Sequence, residues 1–175
     1  MYTNNKVGNV IYKVIEYFGD DVRRINHFLK VYGYAKMIGE CENLDDSMQE
    51  ILEVTAVLHD VGIKVAKLVK GIVAEQKYNS SAGHYQQLEG PPVAKKILDE
   101  LGYPDDFVER VMYLIAHHHT YTNIDGMDYQ ILVEADFLVN ADEDRLSSDA
   151  IENFKEKIFK TTTGIAVLEN NYLNL

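Results

Sequence analysis

Five residues of this 175-residue chain carry metal-ligand chemistry at positions where the surrounding pattern calls for apolar side chains: His27, His59, Asp60, His118 and Asp136. His27 lies on a stripe with Phe28, Val31, Ala35 and Ile38, and His59-Asp60 end the apolar run VTAVLHDVGI. His118 continues Val111, Leu114 and Ile115 at helical spacing, and Asp136 sits among Leu132, Ala135 and Val139. An ionised Asp buried without a partner would cost several kcal/mol and would normally take up a proton instead. A structural ion pair rescues one such residue. Four helices each turning a His or Asp inward are satisfied together by a shared divalent cation, because imidazole and carboxylate are ligands of zinc, iron, manganese and similar ions.

The elements that must hold these groups are helices. Apolar residues recur at helical spacing through 27–38, 51–58, 93–101, 105–118, 128–141 and 149–160, and a last helix is expected at 163–170. Asp45 or Asp46 caps the second of these, and Asp149 with Glu152 is placed for a capping box. Pro91, Pro92 and Pro104 are expected at helix starts, where a missing N–H is tolerated. Residues 71–88, richer in Gly and Ser, read as a loop that could hold a short helix. No useful stretch shows strict apolar/polar alternation, so the expected fold is all-α, a compact bundle of six to eight helices in one domain over residues 1–175.

Composition narrows the functional classes. Lys and Arg total 17 against 28 Asp and Glu, a net charge of −11, which argues against a nucleic-acid polymer as partner. Residues 125–156 carry ten acids and two bases, whereas 61–88 carry Lys64, Lys67, Lys70 and Lys77 against Glu75. The single cysteine, Cys41, gives no sign of an oxidising compartment, and no apolar run suggests a signal peptide or a membrane span, so a cytoplasmic protein is expected. There is no Gly-rich phosphate loop, no nucleophile elbow and no paired-cysteine zinc pattern. A Glu-x-x-His di-iron bundle also fails, since Arg24, Ala56, Ser81, Leu114, Ile115 and Ala116 precede the histidines by three.

The ordered series His27, His59-Asp60, Asp136 resembles the HD-domain superfamily of metal-dependent phosphohydrolases. The spacings are 32 residues from His27 to His59 and 76 from Asp60 to Asp136, and LHDVGIK, GPPVAKKIL, LIAHHHT and VEADFLVN supply context. The resemblance spans roughly residues 21–140, with helices at 149–170 packed on that core. It implies a multi-helix bundle in which His27, His59, Asp60 and Asp136 bind one divalent cation. Relatives with two metals have further histidines. One matches His118; the other falls at Glu89-Gly90, so Glu89 replaces an imidazole, with His84 as the competing candidate. One of His117 and His119 would support His118 from behind while the other faces solvent.

The same resemblance implies a reaction. One or two ions, drawn from Fe, Mn, Co, Ni, Zn and Mg, would activate a water to attack a small phosphoester or nucleotide. Asp60 would hold that water and accept its proton, and Lys64 or Lys77 would offset phosphoryl charge. Lys64 stands one residue later than the Gly-Lys of many relatives, because Ile63 intervenes. Two rivals share the scaffold: a di-iron oxygenase, and a non-catalytic sensor or partner-binding domain with a structural metal. Oligomeric state is open at this stage.

Overall fold

The computed structural model describes residues 6–65 and 81–174, and among these every regular element is helical. In chain order they are α1 (Lys6–Phe18), α2 (Val22–Cys41), α3 (Asp46–Leu58), α4 (Ser81–Leu101), α5 (Asp105–His117), α6 (Met127–Glu143), α7 (Ser148–Ile158) and α8 (Thr162–Leu168), followed by a π-helical turn at Glu169–Leu173. The architecture is all-α, as the periodicity requires.

Local chemistry sets several of these boundaries. Asp45 caps α3, its Oδ1 accepting from Ser47 N at 3.1 Å and Met48 N at 3.0 Å. Ser147 caps α7, with Oγ accepting from Ala150 N at 3.3 Å. The expected Asp149–Glu152 box is therefore corrected: Asp149 lies in the first turn, where a negative charge suits the helix dipole, and the cap is two residues earlier. Thr161 caps α8 by accepting from Gly164 N at 2.9 Å.

The expectation for Pro91 and Pro92 is also corrected, as is the loop reading for its last residues. Both prolines lie inside α4, which begins ten residues before Pro91. They remove the N–H groups that would bond the carbonyls of Gln87 and Leu88, a loss offset by tertiary packing. Gly62, just past the His59-Asp60 doublet, lies directly on α4: a Cβ at Gly62 would stand 2.4 Å from Gln86 O and 2.6 Å from Gly90 N. Two backbones meet at Gly62 and Gly90 because neither residue has a side chain. A Cβ at Gly90 would in turn meet Ile115 Cγ2 of α5 at 2.7 Å. This three-way contact ties the doublet to α4 and α5.

The core divides into two clusters. Val10, Val14, Phe28, Val54, Leu58, Leu98, Val111 and Ile115 join α1 through α5. Val31, Ile38, Leu52, Leu132, Phe137, Leu138, Ile151 and Phe159 join α2, α3, α6 and α7. Helix α6 is buried all round from Asp128 to Ala141, the signature of a central helix. Its buried polar residues therefore need partners. Asp128 takes a fork from Arg110 at 2.8 and 2.7 Å. Glu134 Oε1 accepts from Lys160 N at 2.7 Å, Thr161 N at 3.1 Å and Gln130 Nε2 at 2.7 Å, tying the start of α8 to α6. Asp136 is the remaining acid on this stretch, and it belongs to the site. No described helix is long and apolar enough to cross a membrane.

Candidate metal centre

Two of the histidines sit where helices run out of backbone donors. His59 is the C-cap of α3 and His118 the C-cap of α5. The last carbonyls of a helix lack intrahelical partners. Each ring supplies one: His59 Nδ1 donates to Ala56 O at 2.8 Å, and His118 Nδ1 donates to Ile115 O at 2.7 Å. A proton on Nδ1 leaves Nε2 of the neutral ring with a lone pair. Both rings thus present a ligand atom inward, at helix ends whose dipoles favour a cation.

His27, on α2, is held in the same tautomer by a carboxylate. Its Nδ1 lies 3.0 Å from Glu143 Oε2 near the end of α6. The other face of the ring meets the cluster. His27 Nε2 is 3.3 Å from His59 Nε2 and 3.3 Å from Asp136 Oδ1, and His59 Nε2 is 3.6 Å from the same Asp136 oxygen. Asp60 closes the set, its Oδ2 at 3.6 Å from His27 Nε2 and 3.7 Å from His59 Nε2. All four side chains are buried, from 0% exposure at His59 to 5% at Asp136.

The donor chemistry tests whether a cation belongs here. Two lone pairs facing each other at 3.3 Å repel unless a positive species lies between them. Two carboxylates in a low-dielectric interior add the same demand. In the metal-free chain a proton meets it. Burial would lower the His27 pKa, but hydrogen bonds to Asp136 and Glu143 and the charges of Asp60 and Asp136 outweigh it and push it up to about 9. A divalent ion bound by His27, His59, Asp60 and Asp136 would replace that proton and neutralise two carboxylates. The residues present fit the metal.

A second group adjoins the first through Asp60. Ligand-type atoms of Asp60, His118 and His119 lie within 4.8 Å of one another. His118 Nε2 is 3.8 Å from Asp60 Oδ1 and has no hydrogen-bond partner among the described residues. The His119 ring lies on that of His118, centroids 3.9 Å apart, and its Nε2 is 3.3 Å from Gln86 Oε1 of α4. Burial, then the neighbouring His118, push the His119 pKa down to about 3, which favours the neutral ring that a metal ligand requires. Asp60 consequently offers one oxygen to each group.

The other expected residues fall as follows. Glu89 is partly buried on α4 and stands in neither ligand group, and His119 is the third member beside Asp60 and His118. His117 turns away, with Nδ1 2.7 Å from Tyr113 O and its ring 4.3 Å from that of Tyr113. Lys64 is committed to α1: its ammonium donates to Tyr17 O and lies 4.9 Å over the Tyr17 ring. A phosphate-binding role for Lys64 would require its ammonium to leave this carbonyl and ring. Lys77 and the side chain of His84 lie outside the described residues.

Arg24, Glu143 and Gln86 went unread in the sequence. Arg24 is buried on α2, one turn before His27, with NH1 3.7 Å from Asp60 Oδ2. Spacing could have found two of them. Arg24 and His27 share a face at i, i+3, and Asp136 and Glu143 share one at i, i+7.

The family signature of the HD domain matches residues 24–150, which contain every ligand named above. The chain belongs to the HD-domain family. No curated relative matches it. A solved structure from an uncultured Thermotogales bacterium, described as a predicted HD superfamily hydrolase, has a similar fold. Its TM-score is 0.59 at 20% identity, covering 95% of this chain and 83% of that one. HD domains bind divalent metals, and this HD domain has the buried His/Asp groups that such binding requires.

Proposed function

We propose that this HD domain is a divalent-metal-dependent phosphohydrolase acting on a small phosphoester or nucleotide. The observation that carries the reading is the convergence of three Nε2 lone pairs, on His27, His59 and His118, with two buried carboxylates. A purely structural ion pair needs none of these tautomers fixed. The similar Thermotogales structure, itself described as a hydrolase, supports the same direction.

Bound divalent ions, one or two of Fe, Mn, Co, Ni, Zn or Mg, lower the pKa of water and offset charge on phosphoryl oxygens. Everything else falls to the chain. His27, His59, Asp60 and Asp136 hold the first ion, and Asp60, His118 and His119 form the second place. Arg24 NH1, 3.7 Å from Asp60 Oδ2, holds that carboxylate against α2 with its oxygen toward the first group. Asp60 Oδ1 faces the second group; with one ion bound through Oδ2, Oδ1 would accept the proton of the attacking water. Gln86 orients His119 from α4. The segment 61–88, net +3 in a chain of net −11, draws an anionic phosphorylated substrate toward the doublet. The exposed, unpaired Cys41 accords with a reducing cytoplasm.

The test is phosphate release from a panel of phosphomonoesters, nucleotides and phosphodiesters, with each of those metals in turn. Metal-dependent release that falls by about 10²–10⁴ in Asp60→Asn is the expected result. Oxygen consumption by the iron-loaded chain without phosphate release would establish the oxygenase instead. Metal binding without turnover of either kind would leave a structural metal.

A further inference from the structure

One contact of the metal cluster has no place in the reaction just described. Glu143 is partly buried at the end of α6, two helical turns past Asp136, and its two carboxylate oxygens are divided between two partners on α2. Oε2 lies 3.0 Å from His27 Nδ1, and Oε1 lies 3.3 Å from Lys30 Nζ. His59 and His118, by contrast, are held by main-chain carbonyls of their own helices. His27 sits mid-helix, where every nearby carbonyl already serves the α2 ladder. Of His27, His59 and His118, it is therefore the one whose orientation depends on a side chain, as that of His119 depends on Gln86.

We infer that Glu143 is the positioning residue of His27: it fixes the His27 tautomer and sets how strongly His27 Nε2 binds a divalent cation. Resting on the metal-centre reading above, the inference deepens it. A carboxylate accepting the Nδ1–H raises ring basicity, and loss of such a partner typically weakens metal binding about 10–100-fold. Lys30 has the lesser part. Its ammonium is about half exposed, so its ion pair with Glu143 is screened and holds the carboxylate only loosely. Lys30 also lines a surface pocket with Tyr34, Asp142 and Asn171. Neutralising it leaves the Glu143 to His27 bond intact.

The experiment is titration of the metal-stripped chain with Zn²⁺ by calorimetry. Glu143→Gln keeps an acceptor and removes the charge, and should bind Zn²⁺ about 10-fold more weakly. Glu143→Ala should bind about 100-fold more weakly, with Glu143→Asp between the native chain and Glu143→Ala. Lys30→Met should change affinity less than about threefold. A folded Glu143→Gln that binds within twofold of the native chain overturns the inference. A native chain that binds no Zn²⁺ overturns the metal centre itself, so the two failures are distinguishable. Imidazole ¹⁵N spectra of the native, Zn²⁺-loaded chain give a readout needing no Glu143 variant, with His27 assigned by its absence in His27→Gln. Protonated Nδ1 and metal-shifted Nε2 are expected, and a His27 bound through Nδ1 refutes the role of Glu143.

Discussion

Adding one methyl group at Gly62 should disturb both the fold and the centre. A Cβ there would lie 2.4 Å from Gln86 O, 2.6 Å from Gly90 N and 3.0 Å from Gly90 Cα. All three are main-chain atoms, so no side chain can swing aside. Reaching an ordinary contact of about 3.4 Å requires the doublet and α4 to separate by roughly 1 Å. Overpacking of this kind costs about 1–3 kcal/mol. The upper end, about 3 kcal/mol, applies here because backbone must move, which lowers Tm by about 6–12 °C in a chain of this size. The same displacement carries Gln86 away from His119 and strains Asp60. Zn²⁺ binding in Gly62→Ala should therefore weaken at the second place before the first, read by calorimetry beside the thermal melt. A Gly62→Ala chain melting within about 1 °C of the native protein, with both affinities unchanged, would refute the claim that this backbone contact positions the doublet.

Other outcomes follow from the charges. In the metal-free chain the His27 pKa is raised to about 9, so its contribution is complete below pH 6.5 and is lost as pH rises from there through 9. That contribution is at most about 3 kcal/mol. His119 is pushed down to about 3, so its contribution is complete above pH 6.5 and is lost as pH falls toward that value. Melting of the chelator-treated protein across pH 4–9.5 should thus peak near pH 6.5. Saturating Zn²⁺ should remove the alkaline decline, and His119→Gln should reduce the acid one; a flat alkaline limb without metal would contradict the His27 assignment. Arg110→Met leaves the buried Asp128 carboxylate without its fork and should lower unfolding free energy by about 2–4 kcal/mol in urea. Asp45→Ala removes the acceptor of two N–H groups and should cost about 1 kcal/mol in the same assay.

The centre was legible largely because it violates the pattern around it. His27, His59, His118 and Asp136 interrupt apolar stripes, and burying them all without a shared cation would be unfavourable. Asp60 was legible with His59, as the doublet that ends the apolar run VTAVLHDVGI. Local rules failed where tertiary contacts decide. Pro91 and Pro92 mark helix starts when only the local chain is considered, yet the approach of Gly62 to Gly90 carries α4 past both. Helical periodicity cannot place both His118 and His119 inward. It does not apply to them, because α5 ends at His117 and the next two residues leave its face. The place of the Lys64 ammonium was likewise not legible, because Tyr17, 47 residues earlier, offers it a carbonyl and a ring. Partners so distant in sequence leave no local trace. Glu143 and Arg24 were recoverable from spacing alone, had the supporting acid and base of each ligand been sought one or two turns along the same helix.

His27, His59, Asp60 and Asp136 should enclose a divalent cation, with a second place at Asp60, His118 and His119. Anomalous diffraction from crystals of the metal-loaded protein, collected on either side of the metal edge, tests it directly. The expected result is a peak bonded to the Nε2 atoms of His27 and His59 and to oxygens of Asp60 and Asp136, with any second peak across Asp60 toward His118. A fully loaded crystal whose anomalous peaks all lie elsewhere would contradict it.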